Sequence, residues 1–323
     1  MITMQQQSIL PALVLAISAL TTPLVAAATS MELKTALQRL LTTLPGEYDS
    51  EPQRFFEAEY KTPVEQQHAR MYRAFTRIDA PEIGPNVVVG VGYEGGKSGT
   101  FKDGEFLVWT LAIDDAQRAV RMTPWQFQKP ADYKAIATDA AKLQGLPLAA
   151  LEPATGARGC AVLWEQLGGQ LRGRSETGTC DGDWLLNDDE LWINVAERAD
   201  QTHWRFGKAR PFECFYTYQR GGGLKSQTLN GFRMHDRGDV YELELADADR
   251  SRPAFIELIR GMWPSNSGRN YTDLLRMQVY VGKRQDEPEK LELIGNAISS
   301  ADTDRVGFAS RNLSVGCKLI ESN

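Results

Sequence analysis

From Met71 onward the chain is written in short apolar runs broken by Gly, Pro and Asp clusters, and that rhythm limits the fold more than any other feature. In Leu107-Val108-Trp109-Thr110-Leu111-Ala112-Ile113 the odd positions are bulky and apolar, so a strand there presents one clean inward face. Met71–Ile78, Val87–Tyr93, Phe106–Ile113 and Ala119–Phe127 read as strands. The pattern resumes at Cys160–Trp164, Gln170–Thr179 and Glu190–Ala196. It continues through Phe212–Tyr218, Asp239–Leu245, Phe255–Met262, Leu274–Lys283, Lys290–Ile294 and Ser314–Ile320. Two helices stand apart. In Glu32–Leu44, residues Leu33, Leu37, Leu40, Leu41 and Leu44 fall on one stripe, and Pro45-Gly46 ends it. Pro130–Gln144 is the second, stopped by Gly145. Many short strands with few helices predict a mainly β fold, an antiparallel barrel or sandwich with one or two flanking helices. Arg220-Gly221-Gly222-Gly223 is either a unit boundary or the tip of a long hairpin.

Residues 1–28 carry no charged side chain, and Ile9–Leu20 is an almost unbroken apolar stretch leading to Val25-Ala26-Ala27-Ala28. This reads as a secretory signal, predicting an exported protein, periplasmic or extracellular, with no membrane span after cleavage. In an exported chain the four cysteines, Cys160, Cys180, Cys214 and Cys317, favour two disulfides over a metal site. Cys160 and Cys180 bracket a turn-rich stretch, whereas Cys214 and Cys317 both lie in strand-like segments. The expected pairs are therefore 160–180 and 214–317, contributing about 3 and about 5 kcal/mol in the loop-entropy model. No Cys-x-x-Cys occurs, so no metal is expected. Lys plus Arg is 36 and Asp plus Glu 42, a net charge of -6 at pH 7 that argues against nucleic acid as a partner.

Several stretches imitate functional motifs. Val87-Val88-Val89-Gly90-Val91-Gly92-Tyr93-Glu94-Gly95 matches a dinucleotide fingerprint, yet Gly96–Gly104 cannot start the helix whose amides would meet the pyrophosphate. A glycine-rich hairpin is the better reading. Asp181-Gly182-Asp183 with Asp188-Asp189-Glu190 lacks the ligand spacing of a calcium loop. Arg237-Gly238-Asp239 reads as a turn. His68, His203 and His235 show neither metal spacing nor a hydrolase triad partner, and read as surface or structural.

Gly46-Glu47-Tyr48-Asp49-Ser50-Glu51-Pro52-Gln53 resembles the opening G-x-Y-x-S-x-x-Q of the CpcT/CpeT-type phycobiliprotein chromophore (bilin) lyases. The order that follows is similar. A strand leads into Arg77-Ile78-Asp79-Ala80-Pro81-Glu82-Ile83-Gly84, and an apolar strand ends at Tyr93. A Val108–Leu111 to Val120–Met122 hairpin and a Pro-led helix come next. Gly159-Cys160-Ala161-Val162, Leu171-Arg172-Gly173 and Cys180 resemble the family's G-C-x-V, its Φ-x-G (Φ apolar) and its second Cys. The resemblance covers roughly residues 31–205. It implies a calycin- or lipocalin-like antiparallel β-barrel over residues 29–210; residues 211–323 lie beyond the family's domain and read as a β-rich extension or a second domain. It also implies an open-chain tetrapyrrole as substrate, passed as a thioether to a cysteine of an acceptor protein, with no metal or redox cofactor.

A tetrapyrrole needs flat apolar walls and cationic forks for its propionates. Tyr72, Arg73, Arg77, Tyr93, Trp109 and Arg121 are the candidate lining of such a cavity, with Arg73 and Arg77 on the apolar face of their strand. The alternative is an exported, non-catalytic barrel that binds a hydrophobic ligand or a protein partner. The orientation of Arg70, Arg73, Arg77 and Arg121 discriminates between the two.

Overall fold

The computed structural model describes residues 22–156, 159–176, 182–194, 203–219, 226–246, 251–264, 270–284 and 290–321, apart from the side chains of residues 22–29 and Ala140. Its first twelve strands are β1 (Gly46–Asp49), β2 (Met71–Ile78), β3 (Val87–Glu94), β4 (Thr100–Phe101), β5 (Leu107–Asp114) and β6 (Ala119–Phe127), then β7 (Leu151–Pro153), β8 (Val162–Leu167), β9 (Gln170–Ser175), β10 (Trp184–Leu186), β11 (Glu190–Asn194) and β12 (His203–Lys208). All but β4 and β7 form a closed antiparallel barrel of ten strands. Its order is β1-β12-β11-β10-β9-β8-β6-β5-β3-β2, and β2 returns to β1.

The barrel exists because each strand keeps its inward alternation. Leu107, Trp109 and Leu111 of β5 join Val120 and Met122 of β6, Trp164, Leu171, Leu186, Leu191, Ile193 and Phe206 in one core, and Ile113 is half-buried at its end. Helix α1 (Thr22–Thr43) packs against β5, β6 and β8 and drives Ala36, Leu40, Leu41 and Leu44 into the same core. The hydroxyl of Tyr48 is shared between the Thr43 and Leu44 carbonyls (2.9 and 3.0 Å), and Lys208 Nζ donates to Thr43 O at 2.6 Å. A cation and a hydroxyl thus engage the Thr43 and Leu44 carbonyls where α1 ends.

The expected helix Pro130–Gln144 is two pieces instead, α3 (Pro130–Lys134) and α4 (Ala140–Leu143). The Asp139 carboxylate accepts from the Ala141 amide and caps a fresh start, so the chain turns where one helix was expected. This segment covers the outer face of β2, β3 and β5, where Ala137, Leu143 and Leu146 meet Ile78, Val89 and Phe106. A further helix, α2 (Glu51–Glu59), follows β1.

Past the barrel come β13 (Pro211–Tyr218), β14 (Gln227–His235), β15 (Arg237–Ala246), β16 (Ser251–Pro264), β17 (Tyr271–Val281), β18 (Glu292–Ser300), β19 (Arg305–Ala309) and β20 (Leu313–Leu319). They form two four-stranded sheets, β14-β13-β20-β19 and β15-β16-β17-β18, whose inner faces share one core as a sandwich. The chain passes from the first sheet to the second through the single residue Asp236. Cys214 of β13 lies opposite Cys317 of β20, and the two are disulfide-bonded with Cα atoms 4.0 Å apart, as expected. Cys160 is also disulfide-bonded, and its expected partner Cys180 lies outside the described residues. The Arg220–Gly223 stretch lies outside them too, and β13 and β14 pair antiparallel on either side of it. No helix among the described residues is long and apolar enough to cross a membrane.

Candidate functional site

The six residues expected to line one cavity do not share one. Arg73 points into the barrel, where its Nη2 donates to Glu105 at 2.9 Å and its guanidinium lies 5.0 Å from the centre of the Phe206 ring. Opposite it in the register is Gly92, where a side chain would collide with Glu105. The Gly-x-Gly of the imitation dinucleotide motif therefore makes room for a buried ion pair, and β3 runs on into the β4 hairpin. Trp109 is also interior, in edge contact with Trp184. Arg77 has the same parity but is exposed at the barrel end. The other three lie outside the barrel. Arg121 donates to Asp114 (2.8 Å) and to both oxygens of Glu176 (2.9 and 3.0 Å). Tyr72 and Tyr93 meet edge to face at 6.0 Å on the outer wall, turned toward the sandwich. Alternation explains the split, because Tyr72 and Arg73 are neighbours and must face opposite ways. Leu40, Leu44, Trp164 and Phe206 are fully buried in its core, so among the described residues the lumen is packed with the protein's own side chains.

The polar chemistry gathers where the barrel meets the sandwich. The Asp49 carboxylate, wholly buried, accepts from Arg70 Nη2 at 2.7 Å and Nε at 3.0 Å, and from the Glu51 amide at 2.9 Å. Arg70 also lies 3.5 Å from Glu51, which pairs in turn with Arg54. From the sandwich comes the corner His235-Asp236-Arg237-Gly238-Asp239. The His235 ring stacks on Tyr72, and its Nδ1 accepts from the Arg237 amide at 3.2 Å. Its Nε2 points at Asp49 (3.7 Å) and Asp239 (3.9 Å) without reaching hydrogen-bond distance of either. Burial pushes Asp49 up to about 6 against the pull of Arg70, and pulls His235 down to about 4. The Arg-Gly-Asp turn is therefore interior: Arg237 is buried and donates to Lys208 O at 3.0 Å, and Gly238 (φ +82°) lies against Glu51.

Helix α2 stands beside this cluster as a wedge with a cleft on each side. Gln53 anchors it, accepting from the Arg205 amide (2.8 Å) and donating to His203 O (3.0 Å). One cleft, of 640 Å³, runs between α2, the β10–β11 turn and β16. Its cations are already engaged: Arg260 with Asp273 (2.6 Å) and Asp189 (3.3 Å), Arg205 with Glu190 (3.3 Å). The other, of 680 Å³, lies between α2 and the outer face of β16 and β17. Phe55, Phe56, Trp263 and Tyr280 supply its walls, with Glu257 and Arg276 among them.

No protein-family model and no curated protein matches this chain. The site is therefore read from its own chemistry. Among the described residues no group of three or more His, Cys, Asp or Glu side chains is placed to hold a metal ion. The sequence pointed to arginines on lumen-facing strands; it missed α2, Trp263 and Arg276, and it read His235 as surface or structural. The signal that could have found the pocket is the paired Phe55-Phe56 in an otherwise polar stretch, which needs an apolar partner elsewhere.

Proposed function

We propose that this is an exported ligand-binding protein whose ligand sits where the barrel meets the sandwich, outside the barrel lumen. The observation that carries the reading is the contrast between a lumen filled by its own side chains and two clefts of 640 and 680 Å³ flanking α2. Both fall in the range of small-molecule sites, roughly 300–1,000 Å³, and junctions between units are where such sites concentrate. Aromatic walls with cations nearby favour a flat, apolar, anionic ligand. The resemblance to bilin lyases makes an open-chain tetrapyrrole the first member of that class to test. Delivery of the pigment to a cysteine of an acceptor protein is the step the resemblance adds.

Titration of the purified protein with biliverdin, followed by visible absorption, tests the reading. Saturable one-to-one binding is expected, unchanged in Trp109→Phe, because Trp109 lies in the packed lumen. A Trp109→Phe protein that folds normally but binds tenfold more weakly would return the ligand to the lumen. No saturable binding would remove tetrapyrroles from the ligand class.

A further inference from the structure

We propose that the pocket between α2 and the outer face of β16 and β17 is a binding site for a flat aromatic carboxylate, with its rings among Phe55, Phe56, Trp263 and Tyr280 and its carboxylate on Arg276 and the Trp263 indole N–H. This rests on the junction reading above and names the cleft and the ligand chemistry. On a sheet whose other face packs into the sandwich core, β16 turns Phe255, Glu257 and Trp263 outward, and β17 turns Arg276, Gln278 and Tyr280 outward. Helix α2 lays Phe55 and Phe56 over them, with Trp263 at 5.1 and 5.3 Å from the two rings. Gly261 permits the approach, since a side chain there would lie 2.9 Å from Phe56.

Two donors in this apolar setting have no acceptor. Trp263 is 8% exposed and its Nε1 has no hydrogen-bond partner; the buried Nε of Arg276 has none either. The guanidinium lies over the Trp263 ring, 4.0 Å from its centre, so the two donors belong to one stacked unit. A buried donor left unpaired costs free energy, which a bound acceptor recovers. Two donors on one stacked pair suit a carboxylate, whose two oxygens accept in one plane. The pocket floor adds Glu257, whose carboxyl burial pushes up. It offers a place for a ring N–H or hydroxyl on the same ligand. The neighbouring polar cleft lacks this pattern, since its arginines are already paired with carboxylates.

Isothermal titration calorimetry with 2-naphthoate, and with the uncharged 2-naphthalenemethanol, tests the site on the intact protein. Naphthoate is expected to bind more tightly than the alcohol by about 10- to 100-fold. Arg276→Gln should abolish that preference, Trp263→Phe should reduce naphthoate affinity about 3- to 10-fold, and Arg305→Gln on the far sheet should change nothing. Arg276→Lys keeps the charge without the Nε donor, so intermediate affinity is expected and guards against a folding defect in the glutamine variant. Equal binding of acid and alcohol, or of naphthoate to wild type and both Arg276 variants, overturns the proposal. If biliverdin binds while naphthoate does not, this site fails and the junction reading stands; if neither binds, both fail.

Discussion

Arg73 and Glu105 hold each other inside the barrel at 2.9 Å, with side chains almost wholly buried. Removing either alone takes a charged partner from the other inside a largely apolar core. Arg73→Ala is expected to cost about 3–5 kcal/mol in urea unfolding, whereas Arg73→Met combined with Glu105→Leu should recover most of that loss. A double variant as unstable as the single one would show that the charges are not coupled. The same residue shows what the sequence can reveal. Strand alternation put Arg73, Arg77 and Trp109 on the lumen side of their strands, and the inward parity is what the structure has. Arg73's partner lies in a turn 32 residues further on, so nothing local distinguished a paired arginine from one waiting for a ligand. The motif behind the family resemblance is likewise built into the fold here. Tyr48 closes the end of α1, the Ser50 hydroxyl accepts from the Met71 amide at 2.8 Å, and Gln53 ties α2 to β12.

At the scale of elements, α2 is the piece that the sequence concealed and the site depends on. Glu51-Pro52-Gln53-Arg54-Phe55-Phe56-Glu57-Ala58-Glu59 has too few apolar positions to show a helical stripe, because its faces meet polar clusters as well as rings. Its start is held by the opposite corner of the sandwich: Gly238 adopts φ +82° and leaves room for Glu51 where any side chain would intrude. Gly238→Ala should cost about 1–3 kcal/mol through strain and displacement of Glu51. Gly104→Ala, whose added methyl group would have no atom within 4 Å and whose backbone is ordinary, should shift little. Thermal unfolding of the two variants checks this, and equal midpoints would count against it. Strands were legible where one face is strongly apolar, as in β2, β5 and β6. Strand β14 was not, since Gln227–Gly231 is largely exposed and polar and its inward residues, Phe232 and Met234, come late. Helix α3–α4 was overdrawn because Asp139 prefers to cap rather than to continue.

At the scale of the whole molecule, buried titrations of opposite sign meet at the junction of barrel and sandwich. His235 is held near 4, below its unfolded value of about 6.5, so its contribution is full above pH 6.5 and is lost as pH falls through 4. Asp49 is held near 6, above its unfolded value, so its contribution is full below about pH 4 and is lost as pH rises through 6. Each spans on the order of 3 kcal/mol and the two slopes oppose one another between pH 4 and 6, while burial also raises Asp239 beside them and adds to the Asp49 slope. Relative to the parent protein, His235→Gln should therefore gain stability as pH drops from 6.5 to 4, and Asp49→Asn should lose it. Chemical unfolding at several pH values decides, and parallel profiles for the two variants would refute the account. The disulfide is the second global constraint, because Cys214 and Cys317 lie 103 positions apart and so bracket nearly the entire sandwich. Replacing both with alanine should lower stability by about 2–5 kcal/mol, read by calorimetry as an earlier transition of the sandwich. A third constraint follows from the short crossing at Lys208-Ala209-Arg210. Lys208 O accepts from Arg237 Nε, the Ala209 amide donates to Glu47 O at 2.8 Å, and the Arg210 amide donates to Asp236 at 2.9 Å. Add the Phe55–Trp263 contact, and the two bodies are fastened along a line rather than at a point, like a door hung on two hinges. Twisting of one against the other would have to break these contacts together, and the Arg260–Asp189 pair at 3.3 Å holds the polar cleft from its far side as well.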